Sequence, residues 1–149
     1  TIELQKMGYK NLNVLDISGL ALDRTKAKMG AKANEVNWIE SDVLKLDAGN
    51  KYDVIHDRAT FHFLTSEGDI NKYVDIVTDA VKVGGYLIIS TFSLSGPEKC
   101  SNLSVSQYSR FSLENVFNED FKLINNFTEV HTSPYGTMQD FLFCVFAKL

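Results

Sequence analysis

Cysteine is scarce: Cys100 and Cys144 are the only two in 149 residues. Two isolated thiols build no disulfide framework, so stability must come from an apolar core, and a reducing cytoplasm is the expected setting. The three histidines, His56, His62 and His131, share no zinc-type spacing with cysteines or carboxylates, and no metal is expected. No apolar stretch approaches the roughly 20 residues of a membrane span. Lysine and arginine form no run interleaved with aromatics, and the formal net charge is −4. Both facts argue against nucleic acid or another polyanion as partner. The sequence shows no leader-like pattern at its start. It opens on Thr1 rather than Met, which raises the expectation of a longer natural chain.

What is present is the material of a folded domain. Hydrophobic residues make up 44% and aromatics 11%, enough for one core in one domain. Their periodicity alternates between strand and helix. Asn13 to Ile17 reads as a buried strand, and Ser18 can cap a following helix that carries Leu22, Thr25 and Met29 on one face and ends at Gly30. Val36 to Ile39 is a second strand. Tyr52 to His56 is a third, entered from a Gly49-Asn50 turn. Ile70, Tyr73, Val74, Val77 and Val81 recur at helical spacing until Gly84-Gly85, and Tyr86 to Phe92 has the apolar density of a sheet centre. A polar loop from Ser93 to Ser109 precedes a short helix capped by Ser112. Two last runs, Phe121 to Val130 and Phe141 to Ala147, are joined around Ser133-Pro134-Tyr135-Gly136 and predict an antiparallel hairpin. The alternation implies an α/β, Rossmann-like, mostly parallel sheet with helices on both faces, ending in that hairpin.

In open parallel sheets, ligands sit beyond the carboxyl ends of the strands. Three acids stand there: Asp16, Asp42 and Asp57. Asp16, followed by Ile17, is placed to accept from the vicinal hydroxyls of a ribose. Asp42 can accept from an exocyclic amine such as that of adenine while the Val43 amide donates to a ring nitrogen. Each taken singly is equally a turn or cap aspartate, and Asp57 can equally pair with Arg58 or a nearby amide. Three carboxylates at one rim favour a nucleoside ligand.

The segments NVLDIS (13–18), NWIESDV (37–43), YDVIHDRATFHFL (52–64) and GGYLIISTFSLSGPEKCS (84–101) resemble class I S-adenosylmethionine-dependent methyltransferases. The resemblance is to the small bacterial thiopurine-methyltransferase-like kind and runs over the whole printed chain. It implies S-adenosylmethionine as cofactor, with Asp16 on the ribose, Asp42 on the adenine, and Asp57 and Arg58 lining the methionine end. It also implies a small-molecule methyl acceptor lined by Phe61, His62, Cys100 and His131. Asp57, Arg58 and the run Phe61-His62-Phe63 mark the transfer site. One departure is large: such enzymes place a first strand and a glycine-rich turn ahead of the helix that ends near Met7, and neither is in the sequence. A natural chain longer by roughly 40–60 residues, the size of a strand–helix unit with its lead-in, is therefore expected.

The chemistry that follows is in-line displacement at a sulfonium, which asks for positioning and exclusion of water. No residue is assigned as a catalytic acid or base. Phe61 and Phe63 can turn ring electrons toward a sulfonium, and Tyr135 and Met138 can reach the acceptor pocket from the hairpin loop. Two rival readings stay open. A nicotinamide dehydrogenase also uses an acid after the second strand but ordinarily lacks the terminal hairpin. A methyltransferase-like domain that only binds or scaffolds would have the same sequence pattern. The acceptor is not specified, and a monomer or small homo-oligomer is expected.

Overall fold

The protein is described from a computed structural model covering residues 1–47, 49, 51–133 and 136–149. It divides into two compact units, Thr1–Leu46 and Asp47–Leu149.

In the first unit a short helix, α1 (Ile2–Lys6), precedes strand β1 (Asn13–Asp16), helix α2 (Gly19–Met29), a 3-10 segment (Gly30–Glu35) and strand β2 (Asn37–Glu40). β1 and β2 pair in parallel, in register from Asn13 with Asn37 to Asp16 with Glu40. The expected strands thus form, the first ending one residue early and the second shifted by one residue at both ends. Ser18 caps α2, its side chain accepting from the Ala21 amide, and Gly30 ends it at φ 59°, a left-handed conformation that glycine adopts without strain. Leu22 is buried, with Thr25 and Met29 half-buried beside it, as the helical spacing requires. The Trp38 indole donates to the Ala33 carbonyl at 2.9 Å and ties β2 to the segment before it.

The second unit holds β3 (Tyr52–Arg58), a 3-10 turn (Phe61–Phe63), α3 (Glu67–Ala80) and β4 (Val81–Phe92). These are followed by a small hairpin of β5 (Lys99–Cys100) and β6 (Leu103–Ser104), then α4 (Arg110–Phe117), β7 (Phe121–Thr132) and β8 (Met138–Lys148). Its main sheet runs in the order β3-β4-β8-β7. β3 and β4 are parallel, whereas β8 is antiparallel to both β4 and β7. The sheet is therefore mixed, and the expectation of a mostly parallel one is corrected: the short connection between β7 and β8 forces them antiparallel, and β8 then inserts beside β4. Pro134 and Tyr135 of the expected turn, like Asn50 of the earlier one, lie outside the described residues.

One face of this sheet carries Leu87, Ile89, Thr91, Leu142, Cys144 and Phe146, all buried. α3 and α4 supply Tyr73, Val77, Leu113 and Phe117 to the same core, with Phe117 packed on Phe146 at 5.3 Å between ring centroids. Each such apolar side chain contributes about 1.5–3 kcal/mol by leaving water.

Two local expectations change. Gly84-Gly85 does not end the helix: α3 stops at Ala80, and the glycines lie inside β4, where the pairing with β3 jumps from Val81 to Tyr86. A Cβ on Gly85 would stand 2.7 Å from the Asp53 carbonyl oxygen, so the close approach of β3 requires glycine there. The cap of α4 is Ser109 rather than Ser112, which sits at the third helical position and completes a reciprocal capping box. No helix among the described residues is long and apolar enough to cross a membrane.

Candidate functional site

The first unit presents two aspartates built alike. Asp16 ends β1, and its Oδ1 accepts from the Ser18 amide at 2.8 Å. Asp42 follows β2, and its Oδ1 accepts from the Leu44 amide at 2.9 Å. Each side chain closes a turn onto the amide two residues on, the habit of aspartate at a chain reversal. In each, Oδ2 has no hydrogen-bond partner among the described residues. The Ser41 amide donates to the Asp16 carbonyl at 3.1 Å, so the parallel pairing carries directly into the turn that bears Asp42. Asp16 and Asp42 therefore share one rim, that of the strand carboxyl ends. Ile17 is 73% exposed between β1 and the cap of α2. Val43 opens the 3-10 turn that Asp42 caps.

Glu40 is a third carboxylate at this rim, and sequence reasoning passed over it. It pairs with Asp16 across the ladder, and its carboxylate lies over Gly19, where an added Cβ would be 2.6 Å from Oε2. The available signal was its place as the last residue of β2.

In the second unit, Asp57 and Arg58 end β3 and part company. Asp57 is buried. Its Oδ1 accepts from the Thr60 amide at 2.9 Å, and its Oδ2 from the Phe61 amide at 3.2 Å and the Tyr73 hydroxyl at 2.6 Å. Burial raises its pKa, and these donors oppose the shift. The Tyr73 hydroxyl is in turn pushed well above its ordinary range by burial and by Asp57. The carboxylate thus holds the chain reversal after β3, in which Ala59 takes a left-handed φ of 63°. It is turned inward to the chain's own donors, and no ion pair with Arg58 forms.

Arg58 is exposed on the opposite face, its guanidinium 5.8 Å from the centre of the Phe141 ring. The His131 ring lies 6.4 Å from the same phenylalanine. The structure thereby gathers Arg58, Phe141 and His131 at one rim of the sheet. Phe141 was not singled out in the sequence, although alternation along β8 puts it on this face.

Phe61 and His62 are wholly enclosed rather than lining an open pocket. Phe61 packs among Tyr73, Tyr108 and Phe117, with ring centroids 4.8, 5.3 and 5.6 Å away, because the reversal held by Asp57 drives it into the core. His62 lies between Phe63 and Phe92 and accepts from the Phe92 amide through Nδ1 at 3.4 Å. Its Nε2 has no partner among the described residues, and burial lowers its pKa to about 4. A neutral ring that accepts through Nδ1 carries its proton on Nε2. Cys100 is half-buried in the β5–β6 hairpin, opposite Leu103. Cys144 is buried in β8, and burial pushes its thiol up to about 11.

The fold of the chain matches solved proteins. The SAM-dependent methyltransferase of Methanosarcina mazei superimposes with a TM-score of 0.78 over 99% of this chain and 86% of its own, at 12% identity. The fold is that of the class I methyltransferases. The 1,6-didemethyltoxoflavin-N1-methyltransferase of Burkholderia thailandensis, solved with 1,6-didemethyltoxoflavin and S-adenosylhomocysteine bound, gives a TM-score of 0.69 at 14% identity over 99% of this chain and 75% of its own. In sequence, the malonyl-[acyl-carrier protein] O-methyltransferase 2 of Ilyobacter polytropus is 28% identical over 93% of the chain. The chain spans 56% of that relative's length. No protein-family model matches the sequence.

Proposed function

We propose that the protein carrying this chain transfers a methyl group from S-adenosylmethionine to a small-molecule acceptor. The observation that carries the reading is the pair of matched turns at Asp16 and Asp42, each with one carboxylate oxygen fixed by its own backbone and the other unclaimed. Oriented acceptors on neighbouring strand ends suit a nucleoside: Asp16 takes the ribose hydroxyls, and Asp42 takes the adenine amine while the Val43 amide donates to the ring. Ile17 supplies apolar surface beside them. Bound S-adenosylmethionine provides a methyl group on a sulfonium, open to in-line displacement.

In the second unit Asp57 acts through the chain it holds, keeping the reversal after β3 in place. Arg58 has no carboxylate partner among the described residues and takes an anionic group on the acceptor. Phe141, His131 and Cys100 belong to the acceptor side, and Phe61 and His62 stand behind it as fixed packing. The Asp57-Arg58 pair followed by an aromatic run supports the thiopurine-methyltransferase-like subtype. A cytoplasmic location fits two free thiols, and neither nucleic acid nor membrane enters the proposal.

Calorimetry of the full-length protein with S-adenosylhomocysteine tests the reading. Binding that Asp16→Ala abolishes supports it; no heat at high ligand concentration sinks it and leaves a non-catalytic scaffold.

A further inference from the structure

Among the described residues β7 is the last strand of its sheet, paired with β8 along one side only. An unpaired edge is a template for another strand, and natural edges are kept short or are given prolines, charged side chains or bulges that set what can pair with them. This one runs twelve residues without proline, from Phe121 to Thr132, and exposes Ile124, Phe127 and Val130 by about half each, at 52, 47 and 53%. It also carries opposite charges toward its two ends, Lys122 and Glu129, neither with an ion-pair partner among the described residues.

The register with β8 decides which side chains share a face. Lys122 stands opposite Ala147, Phe127 opposite Phe143 and Glu129 opposite Phe141, so these three lie on one face. Leu123, Asn126 and Thr128, opposite Phe146, Cys144 and Leu142, lie on the other. Ile124 is the extra residue of a bulge between Leu123 and Asn125.

We infer that β7 pairs antiparallel with β7 of a second copy of this chain about a two-fold axis at Asn126. Asn126 then meets its own copy, an amide that both donates and accepts. Thr128 meets Leu123 and Glu129 meets Lys122, each on its proper face. The bulge is needed for this. Without the extra residue Lys122 and Glu129, an odd number of positions apart, would fall on opposite faces. With it, Ile124 and Asn125 together oppose Phe127 of the copy, as they already do Val145 of β8. The two-fold repeats the Lys122–Glu129 pair, and the contact closes on itself, so it makes a dimer and not a fibre. A foreign strand would need its own matching pattern; a second copy has it by symmetry.

Sedimentation of the full-length protein over a range of concentrations tests this. A reversible dimer is expected, with Lys122→Glu or Glu129→Lys each raising its dissociation constant by about tenfold or more, since either places like charges opposite each other twice. The double exchange, Lys122→Glu with Glu129→Lys, restores opposite charges and returns the constant to within about threefold of the original. A monomer at every concentration overturns the inference and leaves the edge to another strand or to none. So does a dimer indifferent to the single reversals, or a double exchange no tighter than either of them.

Discussion

Tyr73 donates its hydroxyl to Asp57 across 2.6 Å, joining α3 to the end of β3 inside the core. The bond favours the charged carboxylate, since it works against the burial that raises the Asp57 pKa. Tyr73→Phe is expected to destabilise the protein by about 1–3 kcal/mol where Asp57 is ionised. Because the raised pKa makes the folded state hold its proton above 3.8, the difference from wild type should shrink as pH falls through that raised value. Urea unfolding at several pH values measures both; a loss of stability independent of pH would remove Asp57 from the account.

His62 carries the opposite sign. Its folded pKa, about 4, lies below the ordinary 6.5, so the unfolded chain takes up the proton first. The stability this group contributes is whole above pH 6.5 and is lost as pH falls toward 4, by up to about 3 kcal/mol. His62→Gln does not titrate there and should flatten that limb of the stability profile. Unchanged acid sensitivity in the variant would assign the limb to other groups.

Asp42→Ala leaves the Leu44 amide without its acceptor and removes the unclaimed oxygen. Cofactor affinity should weaken by about 1–3 kcal/mol, the scale for losing a hydrogen bond to a charged partner. Titration of the full-length variant with S-adenosylhomocysteine gives the number directly, and an unaltered dissociation constant counts against Asp42 on the adenine.

Arg58→Ala should raise the KM for the acceptor more than it lowers cofactor affinity, as expected of a group that binds an anion on the substrate. Steady-state kinetics with each substrate varied in turn distinguishes the two. The reverse ordering would move Arg58 to the cofactor.

Elements written by local chemistry were legible in the sequence. Ser18 as a cap, Gly30 as a stop and the helical spacing of Ile70, Tyr73 and Val77 report on near neighbours, and all appear where expected. The hairpin was readable because a tight turn admits one geometry. What depends on distant contacts was not. The Gly84-Gly85 pair reads as a helix stop, yet its reason is the Asp53 carbonyl on another strand. Asp57 and Asp42 look alike in the sequence, and each accepts from nearby amides; the bond from Tyr73, sixteen positions away in the chain, comes to Asp57 and not to Asp42. Phe61 likewise reads as a pocket residue until the reversal held by Asp57 turns it inward. Glu40 and Phe141 acquire meaning from strand register, which no local pattern states.

The contrast between the two cysteines has a practical side. The Cys144 thiol is enclosed, and its pKa of about 11 leaves almost no thiolate at neutral pH, so alkylating reagents and mild oxidants pass it by. Within this stretch of chain a maleimide label therefore attaches through Cys100. A dye introduced that way would sit on the β5–β6 hairpin, reporting on it without any engineered mutation.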